Sequence, residues 1–210
     1  MPEILFNTFD DNSKFVVWQA VEDINFFKDK TKLTLEEKII INKIKTVKRK
    51  TEIYCVRYIL QNILNCKKII SYNNNAKPII DKKNKISISH SNNFIAVYLS
   101  NKDIGIDIEK ISEKSLRVKE KFISNSEISL LKKYDDKAMY CTLFWSVKET
   151  VFKLFSDKHL AFIENIKIQN LAGNNFEGEI VVKIKLIDFI IEQKVFYKKN
   201  ANFVITWAQK

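Results

Sequence analysis

Residues 101–109 read Asn-Lys-Asp-Ile-Gly-Ile-Asp-Ile-Glu. Asn101–Asp103 is turn chemistry, a polar break after an apolar run. Ile104–Glu109 then alternates, which predicts a strand with Ile106 and Ile108 on one face and Asp107 and Glu109 on the other. Upstream, Ile86, Ile88, Phe94, Ala96/Val97 and Leu99 fall in short alternating runs parted by Asp81–Lys85 and Asn92–Asn93. Residues 78–109 are therefore expected to form an antiparallel meander. Two helices should precede it. One starts after Thr34, whose spacing to Glu37 fits a capping box, and runs to about Ile44. The other spans about Arg49 to Asn65, with Ile53, Val56, Leu60 and Ile63/Leu64 on one face.

Downstream the same order returns. Ser112–Tyr134 is mixed and charged, as one or two short helices would be, and a strong helix is expected over about Thr142–Phe155. The tail reads as three strands at Ile180–Ile187, Lys194–Tyr197 and Phe203–Thr206. No sequence repeat accompanies this doubling of helices followed by strands. It points to an α+β protein of two similar lobes in a pseudo-twofold relation, antiparallel sheets packed with helices, divided as 1–103 and 104–210.

The 210 residues are 46% apolar with three Gly and two Pro, a composition that excludes disorder. Cys55, Cys66 and Cys141 form no CxxC pair, so reduced cytosolic thiols are expected rather than a zinc site or disulfide framework. No secretory signal is visible in Met1–Phe15, and the longest apolar stretch, Phe94–Leu99, is too short to cross a bilayer. A cytoplasmic protein, with no membrane partner, is expected. The formal charge of +11 attracts nucleic acid, anionic membrane, acidic proteins or multiply phosphorylated small molecules. An A/T-rich genome, favouring Lys, Ile and Asn, would also produce it.

Asp107 and Glu109 side by side on an apolar strand repel each other and resist burial unless a cation sits between them. A hard divalent ion with oxygen ligands, such as Mg²⁺, would answer. A solvated strand face with Lys110 as ion-pair partner would also explain them. Gly105, just before the pair, allows a close approach of backbone or ligand. In the helix at 142–155, Phe144, Val147, Val151, Leu154 and Phe155 make one apolar stripe. Trp145, Lys148, Glu149, Phe152 and Lys153 make a second, so the helix should be covered on both. Glu149 and Lys153 could simply pair at i, i+4, or serve a partly buried phosphate-and-metal site. Ser89 and His90 end a strand of the meander, where turn chemistry would equally account for them. Lys77 precedes Pro78, which holds it extended.

Taken in order, Lys77-Pro78, Ile88-Ser-His-Ser91, Gly105-Ile-Asp-Ile-Glu109, Phe122-x-Ser124-x-x-Glu127 and Trp145-x-x-Lys148-Glu149-x-x-x-Lys153 resemble the surfactin-type 4′-phosphopantetheinyl transferases, over about residues 49–160. The resemblance implies two similar α+β lobes with coenzyme A in the cleft between them. It implies transfer of the phosphopantetheine arm to a serine of an acyl or peptidyl carrier protein, releasing adenosine 3′,5′-bisphosphate. Asp107, Glu109 and Glu149 would hold Mg²⁺, or Mn²⁺, against the pyrophosphate, and Lys153 would contact it and stabilise the leaving oxygen. Lys77, Ser89 and His90 would bind coenzyme A phosphates, His90 the 3′-phosphate, and Arg49 would reach the nucleotide. The serine proton would go to Glu149, or to a metal-bound water aided by Glu127. The family's glycine-containing turn after the helix is replaced by Ser156-Asp-Lys-His-Leu160, so the turn must take another shape, with His159 a turn or surface residue.

Carriers of this kind are acidic beside their serine. Lys114, Arg117, Lys119 and Lys121 around Leu116 and Val118 are the expected docking segment, with a solvated helix face as the plain alternative. The two-lobed chain would work as a monomer. Two other classes stay open on residue types alone. One is a metal-dependent nuclease or phosphodiesterase, needing no coenzyme A. The other is a non-enzymatic basic nucleic-acid-binding domain, which leaves the carboxylates unexplained.

Overall fold

The computed structural model describes residues 3–9, 11–73, 77–156, 159–174 and 176–210. The chain divides into two compact units, 1–101 and 102–210.

The first unit opens with two strands, β1 (Glu3–Thr8) and β2 (Lys14–Gln19), ahead of any helix. The expected order of helices before strands is corrected here. Phe15–Trp18 is a continuous buried run, as an interior strand covered on both faces requires, and so lacks the alternation that marks a half-exposed strand. Helices α1 (Ile24–Asp29), α2 (Leu35–Asn42) and α3 (Val47–Tyr58) follow. The Thr34–Glu37 capping box is present in both directions at the start of α2. A π-helical turn, Ile59–Ile63, extends α3, so the second helix covers nearly the span expected. A two-residue hairpin, β3 (Ser71–Tyr72) with β4 (Pro78–Ile79), leads to β5 (Lys85–Ser91) and β6 (Phe94–Ser100).

The main sheet of this unit is antiparallel, in the order β1-β2-β6-β5. Because β2 and β5 take both edges of β6, no pairing is left there for the next strand. The expected meander therefore stops at Ser100. One face of the sheet packs on the helices. Val16, Trp18, Ile86, Ile95 and Val97 meet Phe27, Cys55, Val56, Ile59 and Leu60.

In the second unit, β7 (Ile104–Lys110) pairs with β11 (Phe203–Gln209), bringing Asp107 opposite Thr206 and Gly105 opposite Ala208. The sheet runs β7-β11-β10-β9-β8, antiparallel throughout, with β8 (Ile166–Gly173), β9 (Glu177–Lys185) and β10 (Ile190–Lys199). The tail thus holds four strands where three were expected. β8 was hidden because its pairing shifts between Ile168 and Asn170, which breaks its alternation. Short helices α4 (Glu113–Arg117) and α5 (Asn125–Leu131) precede α6 (Lys137–Phe155).

Helix α6 is the centre of this unit. Leu143, Phe144, Val147, Val151 and Leu154 are buried against Ile180, Val182, Val195, Tyr197 and Val204 of the sheet. Its second stripe is covered too. Lys148 is fully buried, and Trp145 and Phe152 are half-buried against the same core. The helix ends on Ser156 in the left-handed conformation, φ 54°. That is the place a glycine commonly fills, and here a serine fills it. Residues 157–158 of the glycine-free turn lie outside the described residues. Cys55 and Cys141 are buried and Cys66 half-buried, all three as thiols.

The close approach expected at Gly105 is real. A Cβ there would stand 2.2 Å from the backbone oxygen of Thr150 in α6. Backbone meets backbone, so no side chain can yield. Gly105→Ala is expected to lower stability by about 3 kcal/mol or more, at the upper end of overpacking costs. A loss of less than about 1 kcal/mol in urea unfolding would contradict the contact.

Candidate functional site

In the second unit, strand β7 and helix α6 put four expected residues together. Asp107 and Glu109 share the face of β7 that looks at α6, and Glu149 and Lys153 lie one turn apart on the helix. Lys153 Nζ donates to Asp107 Oδ1 at 2.8 Å and to the Ile106 carbonyl at 3.1 Å. Burial pushes the Glu149 carboxyl up to about 7, with the Asp107 and Glu109 carboxylates adding to the rise and Lys153 opposing it. Three carboxylates therefore feel one another at this point, and one of them is reluctant to ionise.

Trp145, seen in the sequence only as an aromatic flank, is part of the site. Its Nε1 donates to Glu109 Oε1 at 3.0 Å, and its ring stands edge-on to Phe122 and Phe162. A hydroxyl cluster went unforeseen altogether. Thr150 and Ser146 of α6 both meet Thr206, at 2.6 and 2.9 Å, directly across the ladder from Asp107. The signal was available as Ser146 and Thr150 at i, i+4 on an otherwise apolar side. These bonds clamp α6 to β11 and so fix the distance from Glu149 to β7.

The donor set suits a hard divalent cation, being all carboxylate oxygen and mutually repelling. Among the described residues, no three such groups already stand at ligating spacing. The ammonium of Lys153 and the indole of Trp145 hold the carboxylates in place.

Glu127 lies elsewhere. It is fully buried at the start of α5, where its Oε2 accepts from the Ser124 amide and hydroxyl and its Oε1 from the Ile168 amide. Lys148 Nζ lies 2.9 Å from both oxygens, and donates also to the carbonyls of Phe162 and Ile166 at 2.8 Å. Burial lowers the Lys148 pKa, and Glu127 pulls it back up. The charges that shift Glu149 are those of Asp107, Lys153 and Glu109. It anchors α5, α6 and β8 to one another.

The remaining expected residues are in the first unit. A cavity of about 170 Å³ has Ile41, Ile53, Val56 and Ile88 in its walls, with Arg49, Glu52 and His90 also lining it. Arg49 Nη1 lies 2.8 Å from Glu52 and 2.6 Å from His90 Nε2. A guanidinium only donates, so Nε2 accepts and the imidazole proton sits on Nδ1. Tyr72 and Pro78 also line the cavity. Lys77, next to Pro78, is fixed by bonds of its backbone to Asn73. Ser89 is not brought to His90. Successive residues of β5 point to opposite faces, and Ser89 is buried on the face away from the cavity. In the second unit, Lys114, Arg117 and Lys121 are exposed, while Leu116 and Val118 pack on the core.

Comparison with known proteins gives the family. The 4′-phosphopantetheinyl transferase superfamily model matches residues 103–208, which includes β7, α6 and β11. The chain is similar to 4′-phosphopantetheinyl transferase gsp of Aneurinibacillus migulanus, 31% identical over 106 residues, 49% of this chain and 45% of that protein. It is also similar to 4′-phosphopantetheinyl transferase Sfp of Bacillus subtilis strain 168, 38% identical over 69 residues, 32% of this chain and 31% of that one. The matched stretches thus span less than half of these relatives. With half of its own length matched by the family model and the carboxylates, Trp145 and Lys153 inside that half, the chain belongs to the 4′-phosphopantetheinyl transferase superfamily.

Proposed function

We propose that the protein transfers the 4′-phosphopantetheine group of coenzyme A to a serine hydroxyl of an acyl or peptidyl carrier protein. The observation that carries this is the crowding of Asp107 and Glu109 on Glu149, opposite the ammonium of Lys153. With a divalent cation held among the carboxylates, such an array suits a substrate bearing several phosphate charges.

Asp107, Glu109 and Glu149 would hold Mg²⁺, which when bound offsets negative charge on the pyrophosphate. Lys153 neutralises the bridging oxygen as it departs with adenosine 3′,5′-bisphosphate. The serine Oγ forms the new bond to phosphorus and the bond to the departing phosphate breaks. Glu149 takes the serine proton. In the first unit, Arg49, His90 and Lys77 meet the nucleotide phosphates, and the isoleucine-lined cavity takes apolar surface beside them. The exposed Lys114, Arg117 and Lys121 would meet the acidic carrier.

The test is to incubate the protein with coenzyme A, Mg²⁺ and apo carrier proteins and weigh the carriers. A gain of one phosphopantetheine group is expected, lost on chelation and restored by Mn²⁺. Several apo carriers unchanged in mass, where another transferase modifies them, would refute the reading. Reversing charge at Arg117 and Lys121 should raise the carrier KM about tenfold at low salt and leave kcat alone, because rim charges act on encounter.

A further inference from the structure

Helix α2 is amphipathic the wrong way round for a helix packed on a core. Its two buried residues are Glu37 and Ile41, and Glu37 faces the buried guanidinium of Arg57. The apolar side chains lie outside. Leu35 is 75% exposed and Ile39 49%, at i, i+4 on one face. Val47, which opens α3, is 65% exposed. Between residues 35 and 48, Lys38, Lys43, Lys45 and Lys48 are exposed as well, and Glu36 is the one exposed acid.

We propose that this surface docks the protein onto an anionic phospholipid bilayer. The charge is complementary to such a surface, and exposed aliphatic side chains alternating along the chain with exposed lysines match the acyl–headgroup boundary. Long lysine stems lie along the apolar layer while their ammonium groups stay with phosphate. A protein partner is the poorer fit. Interfaces between proteins favour Tyr, Trp and Arg and are depleted in Lys. This patch has four exposed lysines and no aromatic ring, and the one arginine nearby, Arg49, is engaged with Glu52 and His90. The sequence alone led to the opposite expectation, because it was judged on bilayer-spanning stretches and not on which face of α2 is exposed. The proposal is independent of the transfer reaction.

The experiment is co-sedimentation of the full chain with phosphatidylcholine vesicles, with and without phosphatidylglycerol, at low and high salt. Binding is expected only with phosphatidylglycerol, and weakening with salt. Leu35→Gln with Ile39→Gln tests the apolar part and Lys43→Glu with Lys45→Glu the charge. Each lysine near an anionic surface contributes about fivefold in partitioning, so the charge pair should lose about 25-fold or more. Lys132→Glu with Lys133→Glu, an equal change in net charge on exposed residues of the other unit, should lose less than about a quarter as much. Circular dichroism checks that all variants are folded. Three results would overturn the proposal: no preference for phosphatidylglycerol, equal loss in the Lys132/Lys133 control, or wild-type binding by both α2 variants. Loss of binding to an acidic carrier protein by the α2 variants, with no vesicle binding by wild type, would give the surface to a protein instead.

Discussion

Glu149→Gln is expected to cut transfer to an apo carrier by about a thousandfold or more while leaving the folded protein at least as stable. The loss of activity follows from removing one of the three carboxylates proposed to hold Mg²⁺ against the phosphate, worth several kcal/mol in the transition state. Stability moves the other way because Glu149 is a carboxyl that folding makes harder to ionise. Its pKa rises from an ordinary 4.5 to about 7. The folded state therefore binds this proton more tightly than the unfolded chain, and stability falls as pH climbs from 4.5 towards 7. With solvent screening the loss is about 1–2 kcal/mol. Glutamine carries no charge and escapes it. Melting curves in a chelator should coincide for wild type and variant near the acid end of that window and separate above it, the variant melting higher. Excess Mg²⁺ should raise the wild-type midpoint and barely move the variant's. A variant that melts lower at neutral pH would show that Glu149 is held by pairing and not crowded.

Lys148→Met is expected to be the most damaging single change to the fold, about 3–5 kcal/mol, because it strands the fully buried Glu127 as an uncompensated charge. It also leaves the carbonyls of Phe162 and Ile166 without their donor. In a chain of this size that is a fall of roughly 10 °C in midpoint. Glu127→Gln with Lys148→Met should recover part of it, since the second substitution removes the stranded charge. If Lys148→Met melts within a degree or two of wild type, Glu127 is not held as described. The distinction also bears on mechanism. An activity loss in Glu127→Gln that tracks its fall in stability fits an anchor, whereas an altered pH profile at full stability would return Glu127 to the chemistry.

The strands and helices that alternate or repeat cleanly were legible from sequence, as were the residues that meet at the candidate site. Asp107, Glu109, Glu149 and Lys153 are placed by two short periodic segments, and such segments fix which face a side chain takes. What the sequence could not show depends on partners far along the chain. Phe15–Trp18 reads as a strand only once it is known to be covered on both faces. The meander reads as continuing past Ser100 because nothing local says that β6 already has two neighbours. Glu127 and Lys148 looked like charged groups available for chemistry. Only their burial, 21 positions apart in sequence, reveals an internal strut. Ser89 and His90 were grouped by adjacency, which in a strand places them apart.

The ladder between β7 and β11 carries a consequence for how the protein is made. Asp107 sits on a strand whose sheet partner is nearly a hundred residues later, at Thr206. A nascent chain that has emerged only as far as α6 has the carboxylates, Trp145 and Lys153, but β7 has no neighbour and Thr150 lacks the hydroxyl that braces it. Closing so distant a pairing is slow, and local contacts cannot substitute for it. The carboxylate array therefore comes into being only after residues 203–209 have been made and have added themselves beside β7.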